Sequence, residues 1–131
     1  MSLNVLVVDD SSVVRTMVLK TLHMAGLPVG EVHEAGNGKE GLEALNANWI
    51  DLVLADLNMP ILDGEEMINR IRANPLWKDL PVVVISTEGS QTRIQRLAEK
   101  DARFIHKPFT PEQIRAVVVE LLGLEHEQTT V

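Results

Sequence analysis

Apolar residues along the chain fall into two periods. Val5-Leu6-Val7-Val8 after Asn4, Leu52-Val53-Leu54-Ala55 and Val82-Val83-Val84-Ile85 are continuous runs without alternation. Such runs are expected of parallel strands buried on both faces. Val29 to Ala35 is a weaker run with Val32 as its best apolar anchor, and Arg103 to His106 is a short fifth. Between the runs the spacing turns helical. It carries Val13, Val14, Met17, Val18 and Leu22 up to Gly26, then Leu42, Leu45 and Ala47, with Trp49 and Ile50 expected to cover that helix's end. A third helix opens near Gly64 with Met67, Ile68 and Ile71 inward. A fourth carries Ile94, Leu97 and Ala98, and a fifth Ile114, Val117, Val118, Leu121 and Leu122.

The punctuation agrees with these boundaries. Ser11 or Ser12 and Ser90 are cap residues, Asn37-Gly38 is a turn signal, and Asn74-Pro75 stops the third helix. Pro111 after Thr110 suits a first helical position, and Gly123 a helix end. Strand and helix therefore alternate throughout. This predicts an α/β fold, a doubly wound (βα)5 parallel sheet with right-handed crossovers and helices on both faces.

Composition narrows the class. At 131 residues and 45% hydrophobic, the chain suits one domain with a real core, expected over residues 1–123, with 124–131 a flexible polar tail. No apolar run nears the roughly 20 residues needed to span a bilayer, and no basic stretch precedes an apolar one at the start, so neither membrane nor secretory signal is expected. Cysteine is absent, which fits a reducing cytoplasm. A net charge of −7 argues against direct nucleic-acid binding, which needs a basic face.

The chemistry gathers at strand ends. The run Leu52 to Ala55 stops at Asp56, and Pro60 and Gly64 force irregular backbone after it. In a parallel sheet every strand's carboxyl end lies on one edge, where ligands bind. That edge collects Asp9, Asp10, Asp56, Ser86, Thr87 and Lys107. Three carboxylates together repel unless a cation neutralises them, and hard oxygen donors beside a phosphate suit Mg²⁺. Taken singly, an acidic pair before a helix is a cap, a strand-end serine a turn residue, and Lys-Pro a surface loop. Their coincidence on one edge favours Asp56 as a phosphate acceptor in a magnesium site.

The sequence resembles a CheY-like response-regulator receiver domain from about Asn4 to Leu122. Val7 to Ser11 (Val-Val-Asp-Asp-Ser) matches the family's acidic pair, and Asp56-Leu57-Asn58-Met59-Pro60 with Asp63-Gly64 its acceptor motif. Ser86 falls at its Ser/Thr and Lys107-Pro108-Phe109 at its Lys-Pro-Phe signature. The resemblance implies strand order 2-1-3-4-5 and two-component signalling. Asp56 would take a phosphoryl group from a histidine kinase or phosphotransfer protein, with Ser86 and Lys107 binding it. Asp10, Asp56 and the Asn58 carbonyl would hold Mg²⁺, and Asp9 a metal-bound water. Ser86 and Phe104 would switch a face of helix 4, strand 5 and helix 5 toward a downstream protein. Phe104 lacks the hydroxyl of a switch tyrosine, and Thr87 stands where a small residue is common. Asn58 and Glu88 occupy the positions that tune dephosphorylation, a pair resembling chemotaxis regulators.

The expected product is a cytoplasmic, standalone phosphoprotein, monomeric or weakly dimeric, that catalyses only its own phosphorylation and dephosphorylation. The alternative is the receiver of a longer transcriptional or enzymatic regulator. Two other classes compete. A pure interaction module would not need its acids to converge. A dehalogenase-type phosphohydrolase needs a second Asp where Asn58 stands. His23, His33, His106 and His126 lack ligand spacing, and Met17, Met24 and Met67 read as core or groove filler. Trp77 reads as packing on a loop, and Gly36-Asn37-Gly38 is not a phosphate loop, having no Lys-Ser/Thr after it.

Overall fold

Parallel pairing of β-branched runs builds the centre of the molecule. The computed structural model describes residues 2–123, and the expected tail over 124–131 lies outside them. The strands are β1 (Leu3–Val8), β2 (Val29–Ala35), β3 (Leu52–Ala55), β4 (Val82–Ser86) and β5 (Ala102–His106). The helices between and after them are α1 (Ser12–Met24), α2 (Gly38–Ala47), α3 (Gly64–Ala73), α4 (Gln91–Glu99) and α5 (Pro111–Leu122). All neighbouring strands are parallel, in the order β2-β1-β3-β4-β5. Fold class and strand order are as expected.

The continuous runs have a simple cause: alternate residues enter two different cores. Val5, Val7, Leu52, Leu54, Val83 and Ile85 pack with α1 and α5 through Val18, Leu22, Ile114 and Val118. Leu6, Val8, Val53, Ala55, Val82 and Val84 pack on the other face with Leu45, Met67, Ile68, Ile71 and Leu97 of α2, α3 and α4. Each such Val, Leu, Ile or Met side chain contributes about 1.5–3 kcal/mol of transfer free energy. From β1 the chain passes through α1 to β2 on one side, then crosses back through α2 on the other face to β3 on the opposite side. The reversal opens a crevice between the carboxyl ends of β1 and β3.

Capping fixes where the helices begin. Ser11, Asn37, Asp63, Ser90 and Thr110 each accept a backbone N–H from the residue three ahead. Each cap is worth about 1 kcal/mol. Asn37-Gly38, expected as a turn, is the cap and first residue of α2. Pro111 opens α5 inside a capping box, and Gly123 closes it with φ 68°.

Several apolar positions lie elsewhere than expected. Val32 is not the anchor of β2. That strand is the sheet's edge, Val32 is 37% exposed, and Ala35 is the buried residue. Leu45 and Ile50 are buried at the end of α2, whereas Trp49 is 79% exposed. Ala47 and Ala98 face solvent. Of the methionines, Met67 is core and Met17 lines a surface groove, both within the expectation, whereas Met24 is exposed. Trp77 is half-buried against the α2–α4 core, as expected of loop packing. Among the described residues no helix is long and apolar enough to cross a membrane.

Candidate functional site

Three ladders deliver the acids to one point. The backbone N–H of Asp9 donates to Ala35 O at 3.0 Å and that of Asp56 to Val8 O at 3.0 Å, so pairing continues one residue past β1 and β3. Lys107 N donates to Ser86 O at 2.9 Å, which does the same for β4 and β5. Asp9, Asp10 and Asp56 thereby offer carboxylate oxygens that all lie within 4.8 Å of one another. Ser86 is fully buried at the end of β4. The structure thus brings Asp9, Asp10 and Asp56 together, and the pairing of β4 with β5 sets Ser86 beside Lys107.

The carboxylates differ in surroundings. Asp9 is buried and Asp10 exposed, with Asp56 between them. Burial pushes the Asp9 carboxyl above its ordinary range. The Ser11 N–H pulls it down, Asp56 pushes it up, Lys107 pulls it down and Asp10 pushes it up. Ser11 N donates to Asp9 Oδ1 at 2.9 Å, and Lys107 Nζ stands 3.6 Å from Asp9 Oδ2. Asp56 Oδ1 accepts the Leu57 N–H at 2.8 Å. That bond fixes Oδ1 and leaves Oδ2 without a hydrogen-bond donor among the described residues. Arg15 does not neutralise the cluster: it donates to the Asp9 carbonyl at 2.6 Å and pairs with Glu34 at 2.9 Å. Among the described residues Lys107, through Asp9, is thus the one cationic side chain paired with this group of three carboxylates. Uncompensated charge, one buried acid and hard oxygen donors together fit a divalent cation such as Mg²⁺.

The loop after Asp56 is strained. Ile61 has φ 69°, and Leu62 N donates back to Pro60 O at 2.7 Å. This is a γ-turn of the rare hand, costly for a β-branched residue by about 1–3 kcal/mol. The loop is held because Leu62 O accepts the Gly38 N–H at 2.9 Å and Gly64 N donates to Leu57 O at 2.9 Å.

Beneath the rim is a crevice of about 10 Å³ lined by Asp9, Asp56 and Lys107, room for about one water. The site is thus an open edge rather than a substrate cavity. The larger groove, about 570 Å³ between Trp49, Leu76, Trp77 and Pro81, is at the opposite edge of the sheet. Beside the rim, Val14, Met17, Thr21, Thr87, Pro108 and Phe109 line a second, apolar groove of about 420 Å³ that reaches Lys107.

Two loop residues of the site meet an unforeseen partner. Arg93, in the first turn of α4, donates from Nη1 to Glu88 Oε1 at 2.6 Å and to Asn58 Oδ1 at 3.3 Å. Glu88 Oε2 accepts the Ser90 N–H at 3.0 Å, and Glu88 N donates to Ser86 Oγ at 3.2 Å. The Ser90 N–H, with Arg93 assisting, holds the Glu88 carboxyl below its ordinary range. Phe104 is half-buried on β5, its ring 6.2 Å from that of His106. Arg93, Arg96 and Lys100 recur along one stripe of α4 and converge on Glu65 at the start of α3. The stripe is legible in the sequence, but its acidic target on another helix is not.

Hydrogen bonding from Arg96, aided by Lys100, pushes the Glu65 carboxyl down from 4.5 to about 2. A depressed carboxyl adds stability above its unfolded value and loses it as pH falls toward the folded one. Melting temperatures of the wild type and Glu65→Gln should therefore differ at neutral pH and converge as pH drops from about 4.5 to about 2. A constant gap across that window would contradict the pairing.

Comparison with known proteins follows the same lines. A family model described as the response regulator receiver domain matches residues 5–119. The chemotaxis protein CheY1 of Helicobacter pylori is 37% identical over 123 residues, covering 92% of this chain and 98% of that protein. The structure of the chemotaxis response regulator CheY4 of Vibrio cholerae superposes with a TM-score of 0.79 at 32% identity, over 92% of this chain and 99% of that one. A putative response regulator from Chloroflexus aurantiacus gives 0.83 at 30% identity, over 94% and 99%.

Proposed function

This chain belongs to the response regulator receiver family and is a receiver domain of two-component signalling, and we propose that Asp56 is its phosphoryl acceptor. The observation that carries the reading is the convergence of Asp9, Asp10 and Asp56 beside a single lysine on an open rim. An open rim suits a phosphoryl group presented by another protein. The apolar groove through Met17 and Phe109 offers that donor, a histidine kinase or phosphotransfer protein, a surface beside the acceptor.

The chain's own residues have distinct tasks. Asp56 Oδ2 attacks phosphorus in line. The P–N bond to the donor histidine breaks, and its electron pair returns to the imidazole. Lys107, now beside Asp9, is close enough to shift its charge toward the incoming phosphoryl oxygens. The Asp10 and Asp56 carboxylates and the Asn58 carbonyl would hold Mg²⁺, with Asp9 on a metal-bound water. The ion, when bound, offsets charge on the transferred group. Ser86, whose hydroxyl now accepts the Glu88 N–H, can turn its own proton to the phosphoryl oxygen and draw its loop inward. Phe104 on β5 follows, altering the face of α4, β5 and α5 that meets a downstream protein. Asn58 and Glu88 tune the return reaction. The domain thus acts on itself rather than turning over a substrate, as a cytoplasmic regulator of chemotaxis type.

The test is incubation with acetyl phosphate, with and without Mg²⁺, read by intact mass and peptide mapping. Gain of one phosphoryl group at residue 56, dependent on Mg²⁺, is the expected result. No gain, or gain at another residue, would overturn the assignment.

A further inference from the structure

Arg93 holds an unusual place for a helix arginine. Its side chain is only 24% exposed. It lies between the loop that follows β3 and the loop that follows β4, the two that flank Asp56. Nη1 is shared between Glu88 Oε1 at 2.6 Å and Asn58 Oδ1 at 3.3 Å, while Nε stands 4.0 Å from Glu65 Oε1. The second Glu88 oxygen is already taken by the Ser90 N–H. Its neighbours on the same stripe differ: Arg96 and Lys100 reach Glu65 alone. An ion pair this near the surface adds little stability, so its consequence is positional.

Hydrolysis of the phosphorylated form needs an oriented water. The water oxygen bonds to phosphorus, the bond from phosphorus to the Asp56 oxygen breaks, and the carboxylate leaves with the electron pair. The water's proton passes to an acceptor oxygen and then to solvent or the released phosphate. On the two flanking loops the side-chain oxygens of Asn58 and Glu88 are suited to orient that water, and one guanidinium occupies both.

We propose that Arg93 is a positioning residue that withholds Glu88 and Asn58 from the hydrolytic water and so prolongs the phosphorylated state. The proposal rests on Asp56 being the acceptor. Loading and decay are thereby separable: among the described residues Arg93 touches none of Asp9, Asp10, Asp56 or Lys107, and it meets Asn58 through Oδ1 rather than through the carbonyl that would hold Mg²⁺, so its effect falls on decay more than on loading.

The experiment loads the full chain with acetyl phosphate and Mg²⁺, removes the donor, and follows loss of the phosphoryl group. Arg93→Ala should decay roughly threefold or more faster than wild type, with loading changed by less than about twofold. The acceleration should vanish when the same change is made in an Asn58→Ala, Glu88→Ala background. Decay equal to or slower than wild type overturns the proposal, as does acceleration that survives in that background. If Arg93→Ala does not fold, Arg93→Gln is read against the same outcomes. The clamp also has a readout without phosphate. In the unmodified protein the Arg93 side-chain nitrogen signals should be resolved by NMR and collapse on Glu88→Ala; signals already averaged in wild type contradict it. Failure of wild type to load at all would instead remove the acceptor assignment and leave the clamp to be judged by NMR.

Discussion

Asp56→Ala will take up no phosphoryl group under conditions that label the wild type fully. The loss is complete because no neighbour can substitute. Asp9 is buried, with one oxygen held by the Ser11 N–H and the other facing Lys107. Asp10 is exposed, lies one residue beyond the end of the β1 ladder, and lacks the backbone N–H bond that holds the Asp56 carboxylate. A second effect runs the other way. Removing one of three mutually repelling carboxylates should stabilise the protein in chelator by about 1 kcal/mol, a discounted Coulomb value for charges this close near a surface. A variant that loses phosphorylation yet melts higher in chelator would carry both signatures. A melting temperature below wild type in chelator would mean that Asp56 is structural.

Gly64→Ala should be the most damaging small substitution behind the site. A methyl group there would collide with the Asp56 carbonyl oxygen and come within 2.9 Å of Leu57 Cα. These are backbone atoms of Asp56 and Leu57, so they cannot swing aside. Gly64 is also tied by its N–H to Leu57 O, and α3 starts on it after the Asp63 cap. The expected cost is about 3 kcal/mol, with slower phosphorylation because Asp56 is displaced. Gly89→Ala is the control: nothing lies within 4 Å of that position. It should stay within about 0.5 kcal/mol of wild type in chemical denaturation. Equal stability of the two variants would show that the loop after Asp56 yields freely.

Much of this molecule was legible before its structure. Continuous apolar runs announce strands with a core on each side, and β1, β3 and β4 are those strands. Residues that stop the runs then share an edge by topology alone, so Asp9, Asp10, Asp56, Ser86 and Lys107 could be grouped from one dimension. Periodicity says nothing of which strand ends at the margin, and Val32 was misplaced for that reason: β2 has a neighbour on one side only. Trp49 shows the same limit. An apolar residue after a helix reads as cover, yet Ile50 takes the buried place and leaves the indole to solvent, donating to Asp51 at 3.1 Å. Arg93 and Glu65 were invisible for another reason. Their partners lie on other elements, 35 residues away between Arg93 and Asn58. Only the order of the strands, which sets α4 beside the loop after β3 and the start of α3, makes them neighbours.

The central claim is that three converging carboxylates are held together for the sake of a divalent cation. Tryptophan emission is a poor reporter of it, because Trp49 and Trp77 line the groove at the far edge of the sheet. Calorimetric titration with Mg²⁺ in the absence of phosphodonor measures it directly. One ion should bind per chain, and Asp10→Asn and Asp56→Asn should each weaken it strongly. Absence of binding at millimolar Mg²⁺, or binding that both substitutions leave untouched, would contradict the account.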